Sequence, residues 1–298
     1  MLIFDAEGRF INKIHKLGKG PGEYLLLSDC NVNRYTGDVE LLSAMGYVNV
    51  YDSLGKEFKK TFRLPDEVLA VDYFVNLTPQ TYAFFSNSRS GNKMLIFSEK
   101  ENKLIQDTYN LPDWLLRKTT LKHNRSPFYI YDDTVCFTQV YDGKVFNLSP
   151  EPPYLSSRYA LNFDDKTLDL SVIPPDKEID FYMNFVRNLK SKYAIQFFIY
   201  AENSRYYFTR FTYRNKPHHL ILDKQNNGFF LFEKFKEGFQ CFPLCIDEEA
   251  VYCCASVNFL SFILAPELLD QENLEKYENI KEDDNPIIVK YTFRREHG

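Results

Sequence analysis

The sequence predicts an all-β chain assembled from repeated antiparallel sheets, and three observations carry that prediction. First, one hairpin pattern recurs. It opens the chain as LIFDAEGRFINKI, an apolar strand stopped by Asp5, a turn closed by Gly8, and a second strand of mixed character. It returns as VNVYDSLGKEFKKTFRL with Asp52 and Gly55 at the same offsets, and as MLIFSEKENKLIQDTY with Ser98 as the stop. Two further copies, KVFNLSPEPPYLSSRYAL and HHLILDKQNNGFFLFEK, stop at Ser149 and Asp223. Asp and Ser bond backbone amides just ahead in a turn, and Gly accepts positive φ without steric cost. Second, the first four stops stand about 50 residues apart, the length of a four-stranded propeller blade. Third, aromatic residues make up 16% of the chain, 27 Phe and 21 Tyr against one Trp, types that suit half-buried pleated surfaces. A blade cannot bury both faces alone, so blades must stack on one another. The prediction is a β-propeller; a single-copy β-sandwich with recurring hairpins is the competing reading.

The 298 residues count as one propeller domain, 1–298. After the first hairpin, the link Gly18-Lys19-Gly20-Pro21-Gly22-Glu23-Tyr24 leads to strands near 24–34, 38–43, 46–52 and 56–64. The next unit spans 68–109, with Pro79 and Gly91 in its turns. Residues 110–126 form a longer crossing with one helical turn after Pro112, and the third unit covers 127–162. A helix is predicted from about Asp176 to Lys190: Pro174 and Pro175 precede it, Asp176 can cap it, and Ile179, Tyr182, Met183 and Val186 form its apolar stripe. The fourth unit spans 193–234, the fifth begins at FQCFPLCID, and a second helical insertion is predicted over roughly Pro266 to Asn279. The chain ends on the strand PIIVKYTF. The first hairpin is thus half a blade and the last unit has three strands. A closed ring of sheets removes free edges when both termini share a blade. The expectation is therefore that the first and last blades are incomplete, with strands lying ahead of Met1.

Composition narrows the function classes. Charge is nearly balanced, 36 Lys+Arg against 41 Asp+Glu for a net −5, which gives no broad electrostatic footprint for nucleic acid or an anionic membrane. No apolar run reaches the ~18 residues of a membrane-spanning helix, and Met1 leads straight into a strand rather than a signal peptide. Six cysteines are too sparse for a disulfide scaffold at this length.

The link GKGPGEY at 18–24, behind the FDAEGRFINKI hairpin, resembles the hallmark of a six-bladed, NHL-like β-propeller family of unknown function from gut bacteria. VNVYDSLGKEF at 48–58 and the ending DDNPIIVKYTFR at 283–294 are similar to other parts of that family. The resemblance implies an exported, often lipid-anchored protein, hence a periplasmic or cell-surface location and an anchor upstream of Met1.

Few residues present themselves as chemistry. Gly20, Gly22, Glu23 and Tyr24, with Gly18, form a candidate ligand loop: the glycines offer amides, and Glu23 can meet a cation or sugar. The alternative is a crossing between blades in which Glu23 bonds turn amides. It is not a phosphate loop, because no Gly-Lys-Ser/Thr precedes a helix. Cys241, Cys245, Cys253 and Cys254 suggest zinc, but Cys253 and Cys254 point to opposite faces of a strand, so no metal is expected. In an exported protein Cys241–Cys253 or Cys245–Cys254 could pair. His15, His123, His218, His219 and His297 fit no ligand motif. The carboxylate pairs Asp132-Asp133, Asp164-Asp165 and Asp283-Asp284 read as solvated turns, since glycosidase carboxyls must face each other across a cleft. The run from Arg205 to Arg214 reads as a strand with an aromatic core face. No cofactor and no catalytic residue is assigned. The leading expectation is a non-catalytic binding or scaffold propeller of the cell envelope, with a protein or glycan partner. A carbohydrate-active hydrolase or lyase using a central channel is the alternative.

Overall fold

The structure, a computed structural model, describes residues 1–5, 8–68, 71–86, 94–108, 125–138, 143–169 and 179–293. Its units are antiparallel meanders. The first sheet holds β3 (Leu27–Val32), β4 (Val39–Ser43), β5 (Tyr47–Tyr51) and β6 (Phe58–Arg63) in sequence order, behind a two-stranded hairpin of β1 (Leu2–Phe4) and β2 (Phe10–Lys13). The second sheet holds β7 (Tyr73–Thr78), β8 (Thr81–Phe85), β9 (Met94–Ser98) and β10 (Lys103–Thr108). The third holds β11 (Phe128–Tyr131), β12 (Thr134–Thr138), β13 (Lys144–Leu148) and β14 (Leu155–Ala160). The fourth holds β15 (Ile195–Glu202), β16 (Tyr206–Tyr213), β17 (Lys216–Asp223) and β18 (Gly228–Phe232). The fifth has three strands, β19 (Pro243–Ile246), β20 (Ala250–Ala255) and β21 (Ile287–Thr292). These are blades of a β-propeller, not the two large facing sheets of a sandwich.

The chain divides into two compact units, one with the hairpin and the first three sheets, the other with the fourth and fifth. In the first unit the period-two alternation of strands does the stacking. On β8, Tyr82 and Phe84 join Leu42, Val48 and Val50 of the first sheet, together with Leu95 and Phe97 of β9. The intervening Ala83 and Phe85 turn the other way, with Met94 and Ile96, onto Val135, Phe137 and Leu148 of the third sheet. The second sheet is therefore dry on both faces, which is why its central strands read as continuous apolar runs. In the second unit, Ala201 and Phe208 of the fourth sheet pack with Cys253 and Val289 of the fifth, and with Leu260 and Ile263.

Among the described residues the structure shows five blades rather than six. Among the described residues the amino-terminal hairpin pairs only within itself, β1 with β2, and β21 pairs with β20. The reason lies in what the hairpin covers. Ile3 and Ile14 join Val39, Leu41 and Tyr51 on the face of the first sheet opposite Leu42 and Val48. Asn12 Nδ2 donates to the Leu54 and Gly55 carbonyls at 3.2 and 2.7 Å. The hairpin thus serves as a lid on the first sheet.

The helices lie near their predicted places. Helix α1 runs Ile179–Lys192; the predicted cap at Asp176 and the side chains of Ile179, Tyr182, Met183 and Val186 fall outside the described residues, as does the crossing's helical turn after Pro112. A four-residue helix α2 (Leu260–Ile263) that the sequence does not predict lies ahead of the second insertion, which is shorter than predicted: a 3-10 turn at Pro266–Leu268 and then α3 (Gln271–Glu278). Asp270 sets the start of α3, accepting from the Asn273 amide at 2.8 Å as an N-cap.

Asp29 on β3 ties the first two sheets together, accepting from the Phe74 amide at 3.1 Å and from the Cys30 amide at 2.9 Å. Burial outweighs these two bonds and pushes its carboxyl from 3.8 up to about 6. Between those values the folded chain holds a proton that the unfolded chain has released, so stability falls as pH rises through that window. Asp29→Asn should remove this part of the slope. Urea midpoints taken from pH 4 to 7 test it; identical pH profiles for both proteins would refute it.

Candidate functional site

The link at 18–24 is a closed clasp. Leu17 and Tyr24 form a parallel bridge, the Gly18 amide donates to the Tyr24 carbonyl at 3.2 Å, and the Tyr24 amide donates to Lys16 at 3.0 Å. Glu23 folds back, its Oε2 accepting from the Gly20 amide at 2.7 Å while its own amide donates to the Gly20 carbonyl at 3.0 Å. Crowding explains the glycines. A Cβ on Gly18 would lie 2.0 Å from the Glu23 carboxylate, and one on Gly22, at φ +75, would lie 2.8 Å from the Phe58 ring. The loop is fastened to the first sheet by three side chains. Tyr47 Oη and Asn49 Nδ2 donate to the Glu23 carbonyl at 3.1 and 3.0 Å, and Tyr51 Oη donates to the Gly22 carbonyl. Tyr51 also sits edge-on to Phe58 at 5.8 Å, with Lys16 over its ring at 5.2 Å.

Beside this clasp lies a groove of about 700 Å³. Lys19, Gly20, Pro21 and Glu23 form one wall, and Tyr47, Asn49, Thr61, Lys60 and Arg63 of β5 and β6 the other. Leu25, Met45 and Phe58 supply apolar surface. The floor is a fixed polar track: Thr61 Oγ1 donates to Asn49 Oδ1 at 2.6 Å, and Asn49 in turn holds Glu23. Three cations border the groove. Lys60 is drawn to Glu99, whereas no ion pair is recorded for Lys19 or Arg63 among the described residues. Gly20 and Glu23 therefore line a groove, while Gly22 and Tyr24 are buried as its support. Tyr24 Oη donates inward to the Ile14 carbonyl at 3.3 Å.

The other sequence candidates are dispersed. Asp132 and Asp133 occupy positive-φ positions of the tight β11–β12 turn. Asp164 and Asp165 sit in a one-turn 3-10 segment with Lys166 on Asp165. Asp284 accepts from the Lys281 amide at 2.8 Å in a surface turn. Each does a turn's work. The Arg205–Arg214 run is β16, but it is buried on both faces rather than one: Phe208 joins the core with the fifth sheet, and Phe211 packs on Phe163 and Phe197 at 4.8 and 5.4 Å. His219 is fully buried among Phe208, Phe232 and Phe235, and burial pushes its imidazole down to about 4, so it is neutral. His123 and His297 lie outside the described residues. Cys241 and Cys253 are buried while Cys245 and Cys254 are exposed, and no group of three or more metal-ligating side chains occurs among the described residues.

The sequence reading missed a buried polar network between the first two sheets. Glu40 on β4 is 1% exposed and accepts from Asn33 Nδ2 at 2.9 Å, Asn76 Nδ2 at 3.1 Å and Tyr82 Oη at 2.9 Å. Asn31 Nδ2 donates to Asn76 Oδ1 at 2.6 Å, and the Glu99 carboxylate lies 3.4 Å from Tyr82 Oη. Burial raises the Glu40 carboxyl above its ordinary value, with the Glu99 charge adding to it against the three hydrogen bonds. The signal was a polar residue inside an apolar strand: Glu40 in VELLS and Asn76 in YFVNLT.

Comparison with known proteins places this geometry in context. The family described as "Domain of unknown function (DUF4934)" matches residues 1–292. A solved Bacteroides fragilis protein whose name assigns it to export superposes with a TM-score of 0.72 at 15% identity, over 99% of this chain and 84% of that one. A member of the DUF4221 family from Bacteroides vulgatus superposes with a TM-score of 0.50 at 9% identity, over 78% of this chain and 74% of that one. At these identities the likeness concerns the fold. No curated protein matches the sequence. Among the described residues, no helix is long and apolar enough to cross a membrane.

Proposed function

We propose that this chain, which belongs to the DUF4934 family of unknown function, is a non-catalytic binding propeller of the bacterial cell envelope that docks an acidic glycan in the groove beside the 18–24 clasp. One observation carries the reading: the groove joins a rigid polar track to two cations, Lys19 and Arg63, that make no ion pair among the described residues. Asn49 and Thr61 match the hydroxyls of a sugar, the half-buried rings of Tyr47 and Phe58 match its apolar face, and the cations match a carboxylate or sulfate. The clasp fixes one wall before any ligand arrives, which lowers the entropy lost on binding. Support for the location comes from the name of the Bacteroides fragilis neighbour and its shared fold.

Titration calorimetry against acidic and neutral polysaccharides tests this. Binding is expected for the acidic set, and Lys19→Ala with Arg63→Ala should weaken it about tenfold or more, since a charged hydrogen bond contributes about 1.5–3 kcal/mol and 1.4 kcal/mol is tenfold. Undiminished affinity in the double variant would refute the groove as the site. Release of shortened sugar would refute the non-catalytic reading.

A further inference from the structure

We propose that Cys241 and Cys253 are joined by a disulfide when the chain folds in an oxidising compartment. The inference rests on the second unit and is independent of the groove. The two sulfurs lie 3.5 Å apart, and both residues are buried, at 3% and 0% exposure. The fold brings them together because Pro243, which opens β19, faces Cys253 on β20, so the chain just ahead of β19 runs beside Cys253. Of the two pairings the sequence leaves open, this is the one the structure places in contact. Cys254 takes the opposite side of β20 and is exposed, as is Cys245 on β19. Around the pair, Phe208, Leu260, Ile263 and Val289 form an apolar wall. A bond length of about 2.0 Å requires the sulfurs to close by side-chain rotation.

The same burial dictates when the bond forms. In the folded chain the thiol–thiol contact and desolvation push the Cys241 thiol far up, which keeps it protonated and unreactive. Oxidation therefore precedes closure of the core. The oxidant is an organic disulfide such as oxidised glutathione. One cysteine thiolate attacks it, forming a mixed disulfide and releasing one glutathione thiolate. The second cysteine thiolate then attacks the protein sulfur of that mixed disulfide, forming the Cys241–Cys253 bond and releasing the second glutathione. Two protein thiols are oxidised, and one glutathione disulfide is reduced to two thiols.

The full chain, reduced and unfolded, is to be refolded in a glutathione redox buffer, alkylated in denaturant without reduction, digested and mapped by mass spectrometry. The expected product is a linked peptide pair carrying Cys241 and Cys253, two hydrogens lighter than the separate peptides, with Cys30, Cys136, Cys245 and Cys254 alkylated. In Cys253→Ala, Cys241 should be alkylated as well. Alkylation of all six cysteines in the refolded wild type, or a link between any other pair, would overturn the proposal. The decisive comparison uses the wild-type sequence alone, so a variant that fails to fold does not protect it.

Discussion

Glu40→Ala is expected to destabilise the protein by about 3 kcal/mol, a large part of the roughly 5–15 kcal/mol that holds a domain together. The carboxylate is the shared acceptor for Asn33, Asn76 and Tyr82 at the buried junction of the first two sheets. Alanine takes this acceptor from three buried donors, of which Asn33 and Tyr82 keep only long 3.4 Å contacts to the Pro79 carbonyl and the Glu99 carboxylate, and each unsatisfied donor costs about 1–3 kcal/mol. Part of this is offset, because the substitution also removes the cost of keeping a carboxylate out of water. Glu40→Gln separates the two effects. Its carbonyl oxygen can still serve Asn33 and Tyr82, and joint rotation of the Asn76 and Asn31 amides can accommodate the new NH2, so a loss near 1 kcal/mol is expected. Burial raises the Glu40 carboxyl in the folded state, so stability from this group is greatest below the ordinary glutamate range and is lost as pH rises through the raised value. Glutamine should abolish that dependence. Urea unfolding followed by circular dichroism measures all three proteins. An alanine variant as stable as the wild type would show that the network contributes nothing net.

What could be read from the sequence, and what could not, follows the range of each interaction. The meanders were legible because their cause is local: the short apolar runs of β8 and β9 and stop residues such as Asp52, which accepts from the Lys56 and Glu57 amides at 2.6 and 2.8 Å. The C-terminal end of α1 was legible to within two residues for the same reason. The blade count was not, because it depends on where the first hairpin docks. Gly8 and Gly55 look equivalent in the repeat, yet the space around a Cβ on Gly8 is open, whereas one on Gly55 would lie 2.5 Å from Ile3 and 2.7 Å from Ile14. Gly55 is therefore a docking point as well as a turn residue, and nothing in the repeat pattern distinguishes the two. Of the groove, the sequence disclosed the wall made of Gly20 and Glu23, which composition makes conspicuous. The facing wall stayed hidden because Tyr47, Asn49, Thr61 and Arg63 are ordinary strand residues until two strands and a loop are brought together.

The clasp provides the second large effect. Gly22→Val should cost on the order of 4 kcal/mol and abolish ligand binding, whereas Gly20→Ala should cost less than about 1 kcal/mol. Gly22 has φ +75, a conformation that a β-branched residue adopts only with strain, and its Cβ would lie 2.8 Å from Phe58 and 3.1 Å from Tyr51 Oη. Those rings belong to the first sheet, so the loop must move instead. Moving it breaks the bonds from Tyr47, Asn49 and Tyr51 that hold Gly22 and Glu23 in place. Gly20 is less constrained: its φ lies outside the left-handed region, and its Cβ would stand 3.1 Å from the tip of Glu23, which need shift only a few tenths of an ångström. Thermal melts and calorimetry on both variants separate two roles for this loop. If the clasp only bridges hairpin and sheet, Gly22→Val lowers the melting temperature and leaves affinity intact in the molecules still folded. If it positions the groove wall, affinity falls in that same folded fraction, and this is the outcome that the Tyr47–Asn49–Glu23 contacts predict.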